Sequence, residues 1–175
     1  MDDPGAGLWN AFLASGLPEA TSAADAAYTS WHFGTGGVMA DELVELVLSG
    51  TKRATAGARW SYEHEGEPIP RAGDYSVILD GARRARCVIR TVSVDVVPFA
   101  EVDESFAAAE GEGDLTLDHW RECHWRFFAE ELAAIGRVPQ PDMPVVCERF
   151  ELVFPAGPSL AQGHDPIRRL QRREL

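Results

Sequence analysis

The sequence predicts an α+β domain in which helices flank a small, mostly antiparallel β-barrel. Three observations lead there. Helical periodicity and strand alternation are both present, in the order helices, strand, hairpin, helix, strand, which lacks the strict alternation of a doubly wound sheet. The length of 175 residues suits one domain, and 45% hydrophobic residues suffice for a real core. No internal repeat is evident, and no apolar run approaches the roughly 20 residues of a membrane helix.

In chain order, Gly7 to Leu13 is amphipathic through Leu8, Trp9, Phe12 and Leu13, and Pro18 to Tyr28 is alanine-rich with a proline suited to a first turn, so both read as helices. Trp31 to Gly37 carries three glycines in four residues and reads as a loop. Met39, Leu43, Leu46 and Val47 recur at helical spacing opposite Asp41, Glu42 and Glu45, predicting a helix over Val38 to Leu48 that Gly50 ends. Thr51 to Ala58 is a loop leading into a strand, and Trp60 to Glu67 a turn or single helical turn before Pro68, Pro70 and Gly73. Tyr75, Val77 and Leu79 alternate into an Asp80-Gly81 turn, and a β-branched run from Arg84 to Val97 completes a hairpin. Phe106 to Glu110 is a short helical piece. Thr116 caps a long helix with the face Leu117, Trp120, His124, Phe128, Leu132 and Ile135, and Val145 to Phe154 is a closing strand.

Net charge narrows the partners. At −12 the chain repels a phosphate backbone, which disfavours binding to long duplexes. Arg168, Arg169, Arg172 and Arg173 against Asp165 and Glu174 make the end of the chain basic and the body more acidic still. Asp2 and Asp3 stand where a signal peptide needs positive charge, so a cytoplasmic location is expected. Cys87, Cys123 and Cys147 are odd in number and widely spaced, arguing for buried thiols over disulfides or a paired-cysteine zinc site.

Lys52 is the sole lysine among sixteen basic residues. A lysine in a cleft can lose its charge by desolvation or beside a cation such as Arg53, and then act as base or nucleophile, whereas arginine stays protonated. The alternative is a solvated lysine at a helix C-terminus. Thr55, three residues on, is a nucleophile only if a base takes its proton, and otherwise a β-former. Glu110 and Glu112, separated by a glycine, offer a general acid or base, or else an acidic turn. His119 and Cys123 at i, i+4 could ligate a metal, but no third soft ligand stands nearby, so packing is preferred and no metal or other cofactor is expected. Trp60 and Tyr62, and Phe33 in the glycine loop, are stacking aromatics or core. Arg84, Arg86 and Arg90 share strand parity and form a basic stripe, with Arg53 a further candidate phosphate contact.

Phe33-Gly34, Ala40 to Leu43, Leu48 to Thr55, Trp60 to Glu63, Pro70 to Asp74, Phe106 to Asp114 and Met143 to Phe150 together resemble the ASCH domain family, a PUA-like barrel group. The resemblance covers about residues 31 to 154. It implies an ASCH domain over 31–154, and the residues outside it read as an N-terminal helical extension over 1–30 and, from its prolines, glycines and arginines, a flexible tail over 155–175. It also implies RNA-associated roles. One branch resembles an amidohydrolase that removes the acetyl group of acetylated cytidine with a lysine, a threonine and a glutamate, roles that fall on Lys52, Thr55 and Glu112; Trp60, Tyr62, Arg59, Phe33 and Glu110 would contact substrate. Another branch resembles a ribonuclease relying on the same lysine, and a third possibility is a non-catalytic binder of RNA or modified bases. The expected partner is a nucleoside or single-stranded RNA, with a homodimer possible and no membrane. The family often has an acid at the position of Thr55 and an arginine where this chain has Gly57, a place Arg59 would have to fill.

Overall fold

The computed structural model describes residues 3–156. Helices α1 (Ala6–Leu13) and α2 (Pro18–Ser22) precede strand β1 (Tyr28–Trp31), helix α3 (Gly37–Leu48), strand β2 (Ala54–Ala58) and helix α4 (Arg59–Glu65). A hairpin of β3 (Tyr75–Leu79) and β4 (Ala85–Pro98) follows, then α5 (Glu104–Glu110), α6 (Leu117–Ala133) and β5 (Pro144–Pro155). The strands form one sheet in the order β1-β3-β4-β5-β2, parallel only between β1 and β3.

The α+β class and the antiparallel bias agree with the sequence, but the expected barrel is an open sheet. Its edges are β1 and β2, strands of four and five residues with no mutual pairing among the described residues. The side chains that would line a closed barrel pack on α3 instead: Val44 and Val47 meet Ile78, Cys87, Ile89 and Phe150. On the other side, α5 and α6 bring Phe106, Trp120, Phe128 and Leu132 against Ala54, Ala58, Val145 and Cys147. At the far end, α1 and α2 bury Trp9, Phe12, Ala20 and Ala23 against Tyr75, Val77, Leu79, Val88 and Phe154.

Three local expectations are corrected. Alanine content predicted a helix from Pro18 to Tyr28, yet α2 stops at Ser22 and Tyr28 opens β1, because the Tyr28–Trp31 backbone pairs with Tyr75–Ile78 and the Tyr28 ring stacks on Trp9 at 4.6 Å. Tertiary pairing outweighs a weak helical preference. The segment after β2 is a true helix, α4, closed by Gly66 in the left-handed region. The hairpin turn is longer than an Asp-Gly pair. The buried Asp80 carboxylate accepts from the amides of Ala82 and Arg84 at 3.0 and 2.9 Å, and Arg83 takes the left-handed conformation. Burial alone would raise the Asp80 pKa, but these bonds and the Arg84 guanidinium hold it below the usual carboxylate range. Gly81 donates to Asp41 at 2.9 Å, and a Cβ there would lie 2.1 Å from the Gly37 carbonyl oxygen, so the turn docks on the start of α3.

The arginine stripe is also not formed. Pairing of Ile78 with Cys87 and Leu79 with Ala85 leaves Arg86 as an extra, bulged residue, which breaks the parity. Arg86 reaches Glu45 on α3, Arg90 reaches Glu151 on β5, and Arg84 pairs with Asp80. Each of these arginines is neutralised by a carboxylate. Among the described residues no helix is long and apolar enough to cross a membrane. The tail expected from the sequence lies outside the described residues beyond Ala156.

Candidate active site

Lys52 owes its position to the end of α3. Gly50 adopts φ +79°, and the amides of Thr51 and Lys52 both donate to the Leu46 carbonyl, at 2.9 and 3.0 Å. The chain is then clamped on both sides: Arg53 N–H donates to the Ala109 carbonyl at 2.8 Å, and Phe150 N–H donates to the Arg53 carbonyl at 2.9 Å. Lys52 turns inward, 2% exposed, while Arg53 remains exposed. The solvated-lysine reading is therefore set aside.

A buried ammonium needs partners, because desolvation without compensation costs several kcal/mol. Two carboxylates supply them. Nζ lies 2.5 Å from Glu112 Oε1 and 3.7 Å from Glu110 Oε1, and 5.2 Å from the Phe33 ring centroid. Both glutamates come from the end of α5, where Gly111 at φ +72° brings its backbone against Thr51; an added Cβ would lie 2.5 Å from the Thr51 carbonyl oxygen. Glycine is required there by conformation and by space.

The two carboxylates differ. Glu110 is 1% exposed, and its Oε2 accepts from His124 Nε2 at 2.9 Å and from the Trp120 indole N–H. The Glu112 side chain is 32% exposed. His124 Nδ1 sits 3.0 Å from the Trp120 carbonyl, so both ring nitrogens face acceptors and each carries a hydrogen. Its ring stacks on Trp120 with centroids 4.1 Å apart. Burial would raise the Glu110 pKa, but the charges of Lys52 and His124 and the hydrogen bonds from His124 and Trp120 hold it below the ordinary value. Burial would lower that of His124, yet the Glu110 carboxylate raises it. Lys52 and His124 thus converge on two carboxylates, Glu110 buried and Glu112 at the cavity's exposed side.

The sign of the raised His124 pKa fixes a pH dependence. Its stabilising contribution is complete below the unfolded value of 6.5 and is lost as pH rises through the higher folded value. The stability gap between the wild type and His124→Gln, read by urea denaturation, should therefore narrow as pH is raised above about 6.5. A gap that stays constant or widens would show that the histidine is neutral.

Lys52, Thr55, Glu110, Glu112 and Phe33 line one cavity of about 130 Å³, closed by Gly34, Met39, Leu43 and Ala56 and by Cys123, His124 and Phe127 of α6. Among the described residues no hydrogen bond joins Thr55 to Lys52. Trp60, Tyr62 and Arg59 do not line it. Arg59 pairs with Glu63 along α4, Trp60 packs on the α5/α6 core beneath Arg137, and Tyr62 lies over Gly57. A Cβ at Gly57 would stand 2.9 Å from the Tyr62 ring, so the tyrosine occupies the space a side chain at that position would need. Burial, with nearby Glu148, pushes the Tyr62 hydroxyl up to about 12. His119 and Cys123 approach each other at 3.4 Å.

Sequence reasoning missed His124, Trp120 and the apolar lining from Met39, Leu43 and Phe127. The available signal was a histidine four residues after a tryptophan on the apolar face of a long helix, where a polar ring needs a buried partner.

Fold and site together define a small α+β domain with a charged centre set beside the edge strand β2, between α3 and α6. Residues 29–154 match the family model of the ASCH domain, and the chain belongs to that family. It is similar to the crystal structure of an ASCH domain from Lactobacillus crispatus, with 30% identity and a TM-score of 0.80 over 88% of this chain and 96% of that one. A protein from Enterococcus faecalis is similar at 42% identity and a TM-score of 0.70, over 78% of this chain and 83% of that one. No curated protein matches the chain.

Proposed function

We propose that this ASCH protein is an amidohydrolase that removes an acyl group from the exocyclic amine of a cytidine-type nucleoside. One observation carries the reading: Glu112, some sixty residues further along the chain, lines the same cavity as Lys52 and Thr55, with Lys52 Nζ 2.5 Å from Glu112. The ASCH resemblance supplies the substrate class. The small cavity, with one apolar wall of Phe33, Met39, Leu43 and Phe127, suits an acyl group better than a nucleic-acid strand.

Lys52 passes a proton to Glu112 when substrate excludes water, and the neutral amine then accepts the Thr55 hydroxyl proton as Oγ1 attacks the acyl carbon. The C–N bond breaks as Glu112 returns a proton to the departing amine, leaving an acyl ester on Thr55. Water, deprotonated by Glu112, attacks that ester, and Lys52 reprotonates the Thr55 oxygen, releasing the carboxylic acid. Glu110, held by the His124 and Trp120 ring N–H groups and by the charge of Lys52, stays ionised and keeps Lys52 in place.

The test is incubation with acetylated cytidine and with single-stranded RNA in parallel, read by mass spectrometry. Cytidine and acetate are the expected products. Shortened RNA beside intact acetylcytidine would replace this reading with the ribonuclease, and no product from either would leave a binding module.

A further inference from the structure

A second concavity lies beyond the Arg53–Ala109 backbone bond, on the outward side of the segment that turns Lys52 inward. It is an open groove of about 440 Å³ lined by Arg53, Val92, Ser105, Ala108, Ala109, Arg149 and Phe150. No acidic residue lines it, although the chain carries a net charge of −12. Arg53 and Arg149 make no salt bridge among the described residues, in contrast to Arg59, Arg84, Arg86, Arg90 and Arg126. Two guanidinium groups left facing one groove in so acidic a body form a ready receptor for an anion.

The groove is ordered for that purpose. Arg149 pairs in register with Ala54, the residue after Arg53, so both arginines start from one point of the β2–β5 ladder. The Arg149 guanidinium lies 5.5 Å from the Phe106 ring centroid and donates to Ser105 Oγ at 3.1 Å. Those contacts limit its freedom before any ligand arrives, and the Ser105 hydroxyl hydrogen remains able to donate. The floor is apolar. Val92 is the extra residue of a bulge between Thr91 and Ser93 and is 50% exposed, with Ala108 beside it. A volume in the range of small-molecule sites exceeds what a bare phosphate needs.

We propose that this groove binds the phosphate of a nucleotide, with Arg53, Arg149 and Ser105 on the phosphate and Val92, Ala108 and Phe150 against the sugar or base. The site is independent of the chemistry proposed for the cavity, and its test reads binding rather than turnover. A protein that binds here and hydrolyses nothing would sink the amidohydrolase and leave this site standing.

The full chain, labelled with nitrogen-15, is titrated with cytidine, cytidine 5′-monophosphate, inorganic phosphate and a short oligocytidylate. Both phosphate-bearing cytidine probes should move the amide resonances of Val92, Ser105 and Ala108, and the tighter of the two identifies a monoester or a diester as the preferred ligand. Cytidine itself should leave these resonances in place. Arg53→Gln and Arg149→Gln should each weaken binding about 10- to 100-fold, the loss of one charge-assisted contact. With the oligomer, each should also reduce the steepness of the log-affinity against log-salt plot by about 0.7. Ala108→Glu, at an exposed helical position that tolerates the change, should abolish binding while both arginines remain. Equal shifts with cytidine and its monophosphate, or unchanged affinity in Ala108→Glu and the two arginine variants, would overturn the proposal.

Discussion

Glu110→Leu should destabilise the fold by about 3–5 kcal/mol, the cost of removing one partner from a buried ion network. The carboxylate is 1% exposed and faces Lys52, His124 and the Trp120 indole, so its loss strands the His124 cation and an indole N–H in the interior and leaves Lys52 with Glu112 alone. Urea denaturation at pH 6, where the histidine is charged, reads the effect. Adding His124→Leu to the variant should recover part of the loss, because one stranded charge is gone, and the double-mutant cycle measures the coupling directly. A loss below about 1 kcal/mol would mean that the network contributes no more than a surface pair.

Lys52→Arg should lower acetylcytidine hydrolysis by about 10²- to 10⁴-fold, the span associated with a positioned general base. The change keeps the positive charge that Glu110 and Glu112 require, but guanidinium cannot yield its proton near neutrality. Because the site is 2% exposed, the larger side chain also tests the packing, so Thr55→Val serves as the companion variant: it removes the nucleophile with almost no change in volume. Both variants should lose turnover while keeping wild-type circular dichroism. Full activity in Lys52→Arg would eliminate the lysine as base, and full activity in Thr55→Val would eliminate the covalent step.

Much of this arrangement was legible because it obeys local rules. The lone lysine after a helix-ending glycine, the glycine between two glutamates and the Thr116 cap, which does accept the His119 amide, are all short-range signals. What escaped depends on distant partners. Nothing near Tyr28 reveals that Tyr75 waits to pair with it, and parity along β4 could not anticipate a bulge that turns Arg86 toward Glu45. Nothing in the local pattern says whether Trp60 and Tyr62 face a cleft or the core, and α4 carries them away from the cavity. The open sheet was missed for a related reason: closure depends on what covers the inner face, and that face went to α3.

The packing of α1 sets the size of the piece that can fold cooperatively. The stretch recognisable as a family member starts at residue 29, but Trp9 and Phe12 lie against Val77, Leu79, Val88 and Phe154, the same strands that carry the central ladder. Burying a single large apolar side chain contributes about 1.5–3 kcal/mol, and whole domains have net stabilities of about 5–15 kcal/mol. A fragment trimmed to the recognisable boundary therefore loses a substantial part of its margin and bares an apolar sheet face to its neighbours. The boundary that sequence matching draws is shorter than the one thermodynamics draws, and expression of the domain alone has to begin upstream of α1.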